Sequence, residues 1–463
     1  KRKKKMIKYE TDSRKVKPGQ TFVAIKGHTV DGHNYISDAI KNGAVAIIAE
    51  KEVEVSVPIK IVPNSSEYLK EQLVKKYREE LNKLKIIGVT GTNGKTTTCY
   101  LTYQLLKSLN VKVAYMGTIG FFFEEEKIEL PNTTPEILTI YKLFLEALEK
   151  GCTTVVMEVS SHALALERVA GLKFQIGAFT NLTEDHLDYH KTMEEYLKAK
   201  LKLLNYMDTN GIFLVNHDDL ASQRFQNIFK NTKTIGMKES DYWIKEYTFD
   251  PIKTNILLEY QSQNYTIETN LTGKFNVYNY LTALAIIHEY GFSIEEIISK
   301  TDKIYPPKGR CETYKVKDGY AVVDYAHTPD AVEKVIDAYK ELAKGKIITL
   351  VGCGGDRDPL KRPIMGRIAT EKSDWVIFTN DNPRTEDPEK IMQDIIKGVE
   401  QTNYEVILDR HEAIKKALDK INKDDIVLIL GKGHEDYQIL GHEKVHFDDS
   451  EEIKNYIKKC EEN

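Results

Sequence analysis

The sequence contains no run approaching the ~20 consecutive apolar residues that a membrane-spanning helix requires, so no segment is expected to insert in a bilayer. No apolar stretch follows the basic opening "KRKKK", so no secretory signal is expected there, and residues 1–5 read as a solvated terminus rather than a phosphate or targeting patch. Cysteine is sparse and scattered: Cys99, Cys152, Cys311, Cys353 and Cys460 form no C-x-x-C. An odd, widely spaced set argues against a disulfide framework or a zinc knuckle and fits a reducing cytoplasm. Positive charge is not in excess. Lys and Arg number 66 against 70 Asp and Glu, a formal net charge of -4, so a nucleic-acid coat or polybasic membrane anchor is not indicated. Short-period repeats and low-complexity tracts are missing as well.

What remains is a globular composition. Of 463 residues, 41% are hydrophobic and 29% charged, enough to bury real cores in two to four domains of ~100–200 residues. Residues 1–84 read as a small α/β unit, with strands in "QTFVAIKG" and "AVAIIAE", a helix in "DAIKNG", and an amphipathic helix in "SEYLKEQLVKKYREELNKL". Residues 85–305 open with strand "KIIGV", a glycine loop and the helical spacing of "TTTCYLTYQLLKSLN". Strand-like "VKVAYMG", "TTVVMEVS", "FQIGAFTN" and "GIFLVN" then alternate with helices, the rhythm of a parallel sheet. "TNILLEYQSQNYTIETNL" alternates like a hairpin, and "NVYNYLTALAIIHEYG" reads as a helix ending at Gly291. The prolines of "YPPKGR" mark a linker, after which "YAVVDYA", "KIITLVG", "DWVIFTN", "YEVILD" and "DIVLILG" begin a second βαβ series over 306–463.

"GVTGTNGKTTT" (88–98) is the most informative stretch. A strand, a glycine loop and a helix in that order aim several backbone N–H groups at one point, where the helix dipole adds positive potential. Lys95 can reach β- and γ-phosphates there, and the Thr96 hydroxyl can ligate Mg²⁺. The strict phosphate-loop pattern is varied, because its first glycine would fall at Val89.

"VVMEVSSHAL" puts Glu158 at the end of an apolar strand, where ligands bind in open parallel sheets; the carboxylate either holds Mg²⁺ or caps the next helix. "FTNLTEDHLDYH" offers Glu184, Asp185, His186, Asp188 and His190 within a short loop, of which His186 is the favoured metal ligand. "YLKAKLKLL" reads as an ordinary helix with a charged face, its Lys198, Lys200 and Lys202 all surface lysines. In "GCGGDRD", Arg357 stands where a dinucleotide fingerprint needs its third glycine, which argues against NAD. Arg384 of "TNDNPRTEDP" follows a strand and offers a fork suited to a carboxylate, against the plainer reading of a turn with a surface arginine.

"GTNGKTTT", "NTTPE", "MEVSSHAL", "TNLTEDHLDYH", "DYAHTPDA", "GCGGDRD", "DNPRTEDP" and "GKGHEDYQ", in this order, resemble the Mur ligases. The resemblance runs from about residue 11 to 450, with an N-terminal part shorter than usual for the family. It implies three α/β domains: 1–84 for a UDP-sugar, 85–305 as a P-loop ATPase with a parallel sheet, and 306–463 as a Rossmann-like domain for an incoming amino acid. It implies ATP and Mg²⁺, and the substrates UDP-N-acetylmuramoyl-L-alanyl-D-glutamate and meso-diaminopimelate, in a cytoplasmic, monomeric enzyme. L-lysine in place of diaminopimelate is the nearest alternative. A folylpolyglutamate synthetase-like ligase and a non-catalytic nucleotide-binding regulator are the others.

By the same resemblance Gly91, Thr92, Asn93, Gly94, Lys95, Thr96 and Thr97 hold phosphates, and Asn279, Arg310 and Asp324 contact ATP. Thr96 and Glu158 ligate Mg²⁺ and His186 a second Mg²⁺, while Lys200 matches the lysine that the family carbamylates to N6-carboxylysine. Lys95, His186, Lys200 and Asp324 are the implied catalytic set. Thr11, Ser13, His28, Thr29, Val30, Asn132, Thr133 and Thr134 match positions that hold the sugar nucleotide, and Ser160 and Arg168 those that hold its peptidyl carboxylates. Leu166 stands where some members carry glutamine. Arg357, Asp381, Asn382, Pro383, Arg384, Gly431 and Glu435 match the diaminopimelate-binding positions, with Glu435 suited to the distal ammonium.

Overall fold

The computed structural model describes residues 6–182 and 190–463. The chain divides into two compact units, the first holding described residues 6–182, 190–215 and 219–233, the second 216–218 and 234–463. No helix among the described residues is long and apolar enough to cross a membrane.

The first unit opens with a four-stranded parallel sheet, β1 (Tyr9–Glu10), β2 (Thr21–Val23), β3 (Ala46–Ala49) and β4 (Ile59–Ile61), in that spatial order. Phe22, Ile36, Ala39, Ile47 and Ala49 fill one face of it. Asn64 caps the next helix, Ser65–Leu81, by accepting the Glu67 N–H at 3.0 Å. That helix buries Leu69, Leu73, Tyr77 and Leu81 at four-residue spacing, the stripe its amphipathic sequence predicts. Each fully buried leucine contributes about 1.5–3 kcal/mol.

The main sheet of this unit comprises β5 (Lys85–Thr90), β6 (Val113–Gly117), β7 (Gly120–Phe123), β8 (Glu126–Ile128), β9 (Thr154–Glu158), β10 (Phe174–Phe179) and β11 (Met207–Asn216). Its spatial order is β11-β10-β5-β9-β6-β7-β8, parallel from β11 to β6 and antiparallel beyond. β5, carrying the glycine loop at its carboxyl end, lies between β10 and β9, so the loops after those strands flank it. The β7–β8 hairpin was not expected from "FFFEEEKI", a short run without a clear turn dipeptide.

β12 (Thr232–Gly236), whose last three residues belong to the second unit, pairs with β13 (Tyr242–Phe249) in parallel, and β14 (Thr254–Tyr260) and β15 (Gln263–Thr269) continue antiparallel. The expected hairpin turns at Gln261 and Ser262, both with positive φ, as a two-residue turn requires. The expected helix spans Lys274–Tyr290 and stops at Gly291, φ 137°.

A second parallel sheet follows: β16 (Glu312–Val316), β17 (Gly319–Asp324), β18 (Ile347–Val351), β19 (Trp375–Phe378), β20 (Tyr404–Val406) and β21 (Ile426–Leu430). Its order is β16-β17-β21-β18-β19-β20, with only β16 antiparallel. Ile426, Leu428 and Leu430 face helices Pro329–Leu342, Lys361–Lys372 and Pro388–Ile396, whereas Val427 and Ile429 face Arg410–Asp419 and Asp449–Glu462. Strands apolar on both faces are the mark of a doubly wound sheet. A small hairpin, β22 (Tyr437–Leu440) and β23 (Glu443–His446), completes the unit.

Candidate active site

Gly91 and Gly94 have φ of 147° and 88°, so the loop leaves β5 and enters helix Lys95–Ser108 through backbone that other residues resist. At Gly91 a Cβ would fall 1.9 Å from Thr180 Oγ1, so the glycine is also required by the close approach of the loop after β10. That neighbour clamps the phosphate loop. Asn181 accepts from Asn93 N–H at 2.9 Å, and its own carbonyl accepts from Thr92 N–H at 2.9 Å. Thr180 Oγ1 donates to the Asn93 carbonyl at 2.7 Å. Lys95 Nζ folds back to the carbonyls of Gly91 and Thr92 at 2.7 and 3.3 Å, over the mouth of the loop. Thr97 is buried in the first helical turn.

Glu158, fully buried at the end of β9, faces this helix. Thr96 Oγ1 donates to its Oε1 at 2.7 Å. Thr118 donates its N–H to Oε2 at 2.7 Å and its hydroxyl to Oε1 at 3.2 Å, and Tyr115 donates to Oε2 at 2.5 Å. A hydroxyl and a carboxylate, both hard oxygen donors beside a phosphate loop, fit Mg²⁺. Among the described residues no group of three or more His, Cys, Asp and Glu side chains gathers in metal-holding geometry. Glu184, Asp185, His186 and Asp188 lie outside the described residues.

One expectation needs correcting. Lys198 and Lys202 are exposed, but Lys200 is 1% exposed, its Nζ 4.6 Å from the centre of the Tyr196 ring. Lys200 continues the i, i+3, i+4 stripe of buried Leu197, Leu201 and Leu204, a signal already present in "LKAKLKLL".

A cavity of about 1000 Å³ in the first unit is lined by Thr11, Ser13, Val30 and Arg168, so residues far apart in the sequence meet there. His28 and Thr29 share the exposed turn of Val30, and Leu166 is also on the wall. Arg168 Nη1 donates to the Thr134 carbonyl at 2.9 Å, and Thr134 Oγ1 bridges the Glu158 carbonyl (2.8 Å) and the Ser160 N–H (3.1 Å). Thr133 meets Thr118 hydroxyl to hydroxyl at 3.0 Å, while Asn132 is exposed. Ser160 Oγ also caps helix Ser161–Ala165.

In the second unit Asn279 is buried and donates to Asn276 Oδ1 at 3.1 Å. Arg310 lies over the Tyr325 ring at 5.1 Å. Asp324 ends β17, its Oδ2 accepting from the Cys311 N–H at 3.0 Å and its Oδ1 from the Ala326 N–H at 2.8 Å.

The loop after β19 carries "DNPR". Arg384 is half-buried with φ 53°, and its Nη1 donates to the Gly355 carbonyl at 2.9 Å. A Cβ on Gly354 would lie 2.9 Å from Arg384 Nη1 and 3.6 Å from Arg357 Cγ, so the two arginines flank that glycine, Arg357 exposed. Asp381, Asn382 and Pro383 are buried; burial pushes the Asp381 carboxyl up, against Arg410 and Lys432. Gly431 donates its N–H to the Asp324 carbonyl at 3.1 Å. Glu435 Oε2 accepts from Tyr437 at 3.0 Å.

Three family models cover this chain in order: the Mur ligase family catalytic domain over 8–84, the Mur ligase middle domain over 89–287 and the Mur ligase glutamate ligase domain over 309–433. A UDP-N-acetylmuramoyl-L-alanyl-D-glutamate–2,6-diaminopimelate ligase of Bacillus cereus is 43% identical over 459 residues, covering 97% of this chain and 93% of its own. The chain belongs to the Mur ligase family. An enzyme of the same name from Fusobacterium nucleatum is 44% identical over 465 residues, at 97% and 93% coverage. A solved structure of a ligase of that name superimposes with a TM-score of 0.72 at 33% identity, covering 98% of this chain and 95% of that one. The MurF ligase of Thermotoga maritima in complex with ADP, 22% identical, shares the fold at a TM-score of 0.68, with 92% and 94% covered. As a Mur ligase the chain has the family's three-domain α/β fold and is an ATP-dependent ligase that forms amides.

Several side chains of this Mur ligase went unnoticed in the sequence. Thr118 on Glu158, and the Thr180–Asn181 clamp, sit just past strand ends, where "MGT" and "FTN" gave the only hint, and Tyr115 on Glu158 lies in the middle of β6. Arg362, 2% exposed in its side chain, gave none: it donates to Glu386 at 2.8 Å, Asp394 at 3.0 Å and the Gly354 carbonyl at 3.2 Å.

Proposed function

We propose that this chain joins meso-diaminopimelate to UDP-N-acetylmuramoyl-L-alanyl-D-glutamate in peptidoglycan synthesis, in the cytoplasm, with ATP converted to ADP and phosphate. The observation that carries the reading is the loop cluster of half-buried Arg384 with Asn382 and Glu435. A guanidinium two residues from Asn382, and a carboxylate hydrogen-bonded to Asn382, suit the zwitterionic far end of a diamino diacid. Relatives 40–44% identical that carry the corresponding name support it.

In this reading residues 1–84 hold the UDP-sugar, 85–305 bind ATP and 306–463 hold the amino acid. Transfer of the γ-phosphoryl group to the D-glutamyl carboxylate gives an acyl phosphate, and phosphate leaves when the free amine attacks. Positioning and charge neutralisation dominate such transfers. Lys95 would exchange its loop carbonyls for phosphate oxygens, and the clamped N–H groups of Thr92 and Asn93 keep the loop shaped for them. Thr96 and Glu158 would hold Mg²⁺, with His186 at a second ion; bound Mg²⁺ supplies positive charge to the crowded phosphates. Carbamylation of Lys200 would replace a buried cation with an anion able to help hold the metal. Ser160 and Arg168 would bind the peptidyl carboxylates, Arg168 from the cavity's wall. Asn279, Arg310 and Asp324 would hold the nucleotide.

Phosphate release is to be measured with Mg-ATP and UDP-N-acetylmuramoyl-L-alanyl-D-glutamate, comparing meso-diaminopimelate, L-lysine and L-ornithine. Turnover is expected with meso-diaminopimelate alone. Equal rates with lysine would remove the assignment, because lysine has no distal carboxylate for Arg384.

A further inference from the structure

Lys432 has no task in the reading above. It follows β21 in "GKGHE", and its side chain is 0% exposed. Its Nζ donates to Asn382 Oδ1 at 2.9 Å and to Glu435 Oε1 at 3.3 Å, and lies 5.4 Å from the centre of the Tyr437 ring. Burial pulls the ammonium's pKa down, while Asp381 and Glu435 oppose that shift. Replacing a buried ion pair by apolar side chains of similar volume is often neutral for stability, so a lysine here calls for a reason other than filling space.

The reason lies in what it orders. Asn382 Oδ1 accepts from Lys432 and from the Ile439 N–H at 3.0 Å, two donors that leave the carboxamide only one orientation. Its Nδ2 therefore faces Glu435 Oε1, at 3.4 Å. Glu435 is pinned at both oxygens, Oε1 by Lys432 and Oε2 by Tyr437. Reversing the carboxamide would set its NH₂ against an ammonium and an N–H. The groups acting on Lys432 are the anions Asp381, Glu435 and Asp449 and the cation Arg410.

We propose that Lys432 is a positioning residue for the amino-acid substrate, acting through Asn382 and Glu435 to present one carboxamide edge and one carboxylate direction to the far end of a diamino diacid. The inference rests on the amino-acid site proposed above.

The test compares Asn382→Ala, Lys432→Met, Glu435→Gln and the double variant Lys432→Met/Glu435→Gln in the full chain. KM is measured for meso-diaminopimelate, ATP and the sugar nucleotide, alongside the melting temperature. Lys432→Met is expected to raise the diaminopimelate KM about tenfold and to leave the other two within about twofold, as loss of a group that orients a ligand-binding side chain does. In the Glu435→Gln background the same substitution is expected to raise it only about threefold, because one of its two routes is gone. In the double variant the carboxylate ion-paired with Lys432 is removed together with it, so this comparison stands even where Lys432→Met alone fails to fold. Equal rises in both backgrounds, a rise in all three KM values together, or no rise in either background would overturn the positioning role. Asn382→Ala separates the two levels. An unchanged diaminopimelate KM in that variant removes the site assignment itself, whereas a raised KM there with an inert Lys432→Met removes only this inference.

Discussion

Tyr115 donates its phenolic proton to Glu158 Oε2 across 2.5 Å, from the strand next to the one that ends in the carboxylate. Burial pushes the phenol well above its ordinary range, so it stays a donor. Its ring is held by Phe122, stacked at 5.2 Å, and by Tyr100 edge-on at 6.1 Å. Tyr115 and Thr118 thus orient the carboxylate from outside the phosphate loop. Such orientation is what keeps a metal-binding oxygen from sampling unproductive directions.

Tyr115→Phe deletes that donor and keeps the ring. The Mg²⁺ concentration needed for half-maximal nucleotide binding is expected to rise about tenfold, with little change in melting temperature. Calorimetric ADP titration across a Mg²⁺ series reads this directly. An unchanged series would mean that Tyr115 does not govern the carboxylate.

Gly117→Ala approaches the same pair from the other side. A Cβ there would lie 1.9 Å from Glu158 Oε2 and 2.3 Å from the Tyr115 hydroxyl, too close for either to stay. Urea denaturation should show a loss of about 1–3 kcal/mol, the usual range for overpacking, and the Mg²⁺ dependence should weaken with it. A fully stable variant with normal Mg²⁺ dependence would contradict this packing.

The strands and helices were legible because alternation and 3.6-residue spacing report burial, and Gly291 stopped its helix where the pattern ended. The strand ends carrying Gly94, Glu158 and Arg384 were legible because ligand loops follow parallel strands. Lys200 and Lys432 were not, since composition treats lysine as a surface residue. Lys200 could have been found on its apolar stripe. Lys432 could not, because its partners Asn382 and Glu435 come together only through strand order. The β7–β8 hairpin escaped for a simpler reason: its second strand, Glu126–Ile128, is exposed throughout.

Arg384 sits at φ 53°, a left-handed conformation that costs an ordinary residue about 1 kcal/mol. Arg384→Gly should therefore be more stable than Arg384→Ala by about that amount. Both should lose about 2–5 kcal/mol of discrimination for meso-diaminopimelate over L-lysine, read as a kcat/KM ratio, while ATP affinity holds. A large loss of ATP binding in either variant would contradict the assignment of this loop to the amino acid.

Glu386 links acid stability to the same loop. The Arg362 guanidinium, donating at 2.8 and 3.0 Å, holds its carboxyl down at about 2, against an ordinary value of 4.5. A folded-state value below the unfolded one means that the unfolded chain takes up the proton first. The pair therefore stabilises the fold above pH 4.5, and that contribution drains away as pH falls from 4.5 toward about 2. Glu386→Gln should flatten this part of the pH dependence, leaving the portion due to Asp394, the other partner of Arg362. At neutral pH it should cost about 1–3 kcal/mol, because a charged donor 2% exposed loses its best acceptor. Urea midpoints at neutral pH and at two points inside the window measure both effects, and an unaltered slope in the variant would remove Glu386 as their source. Glu386 Oε1 also accepts from the Asp356 N–H at 2.7 Å, one residue beyond the Gly355 carbonyl that takes Arg384. Glu386→Gln should therefore also loosen the seat of Arg384, raising the diaminopimelate KM at neutral pH while the ATP KM stays level.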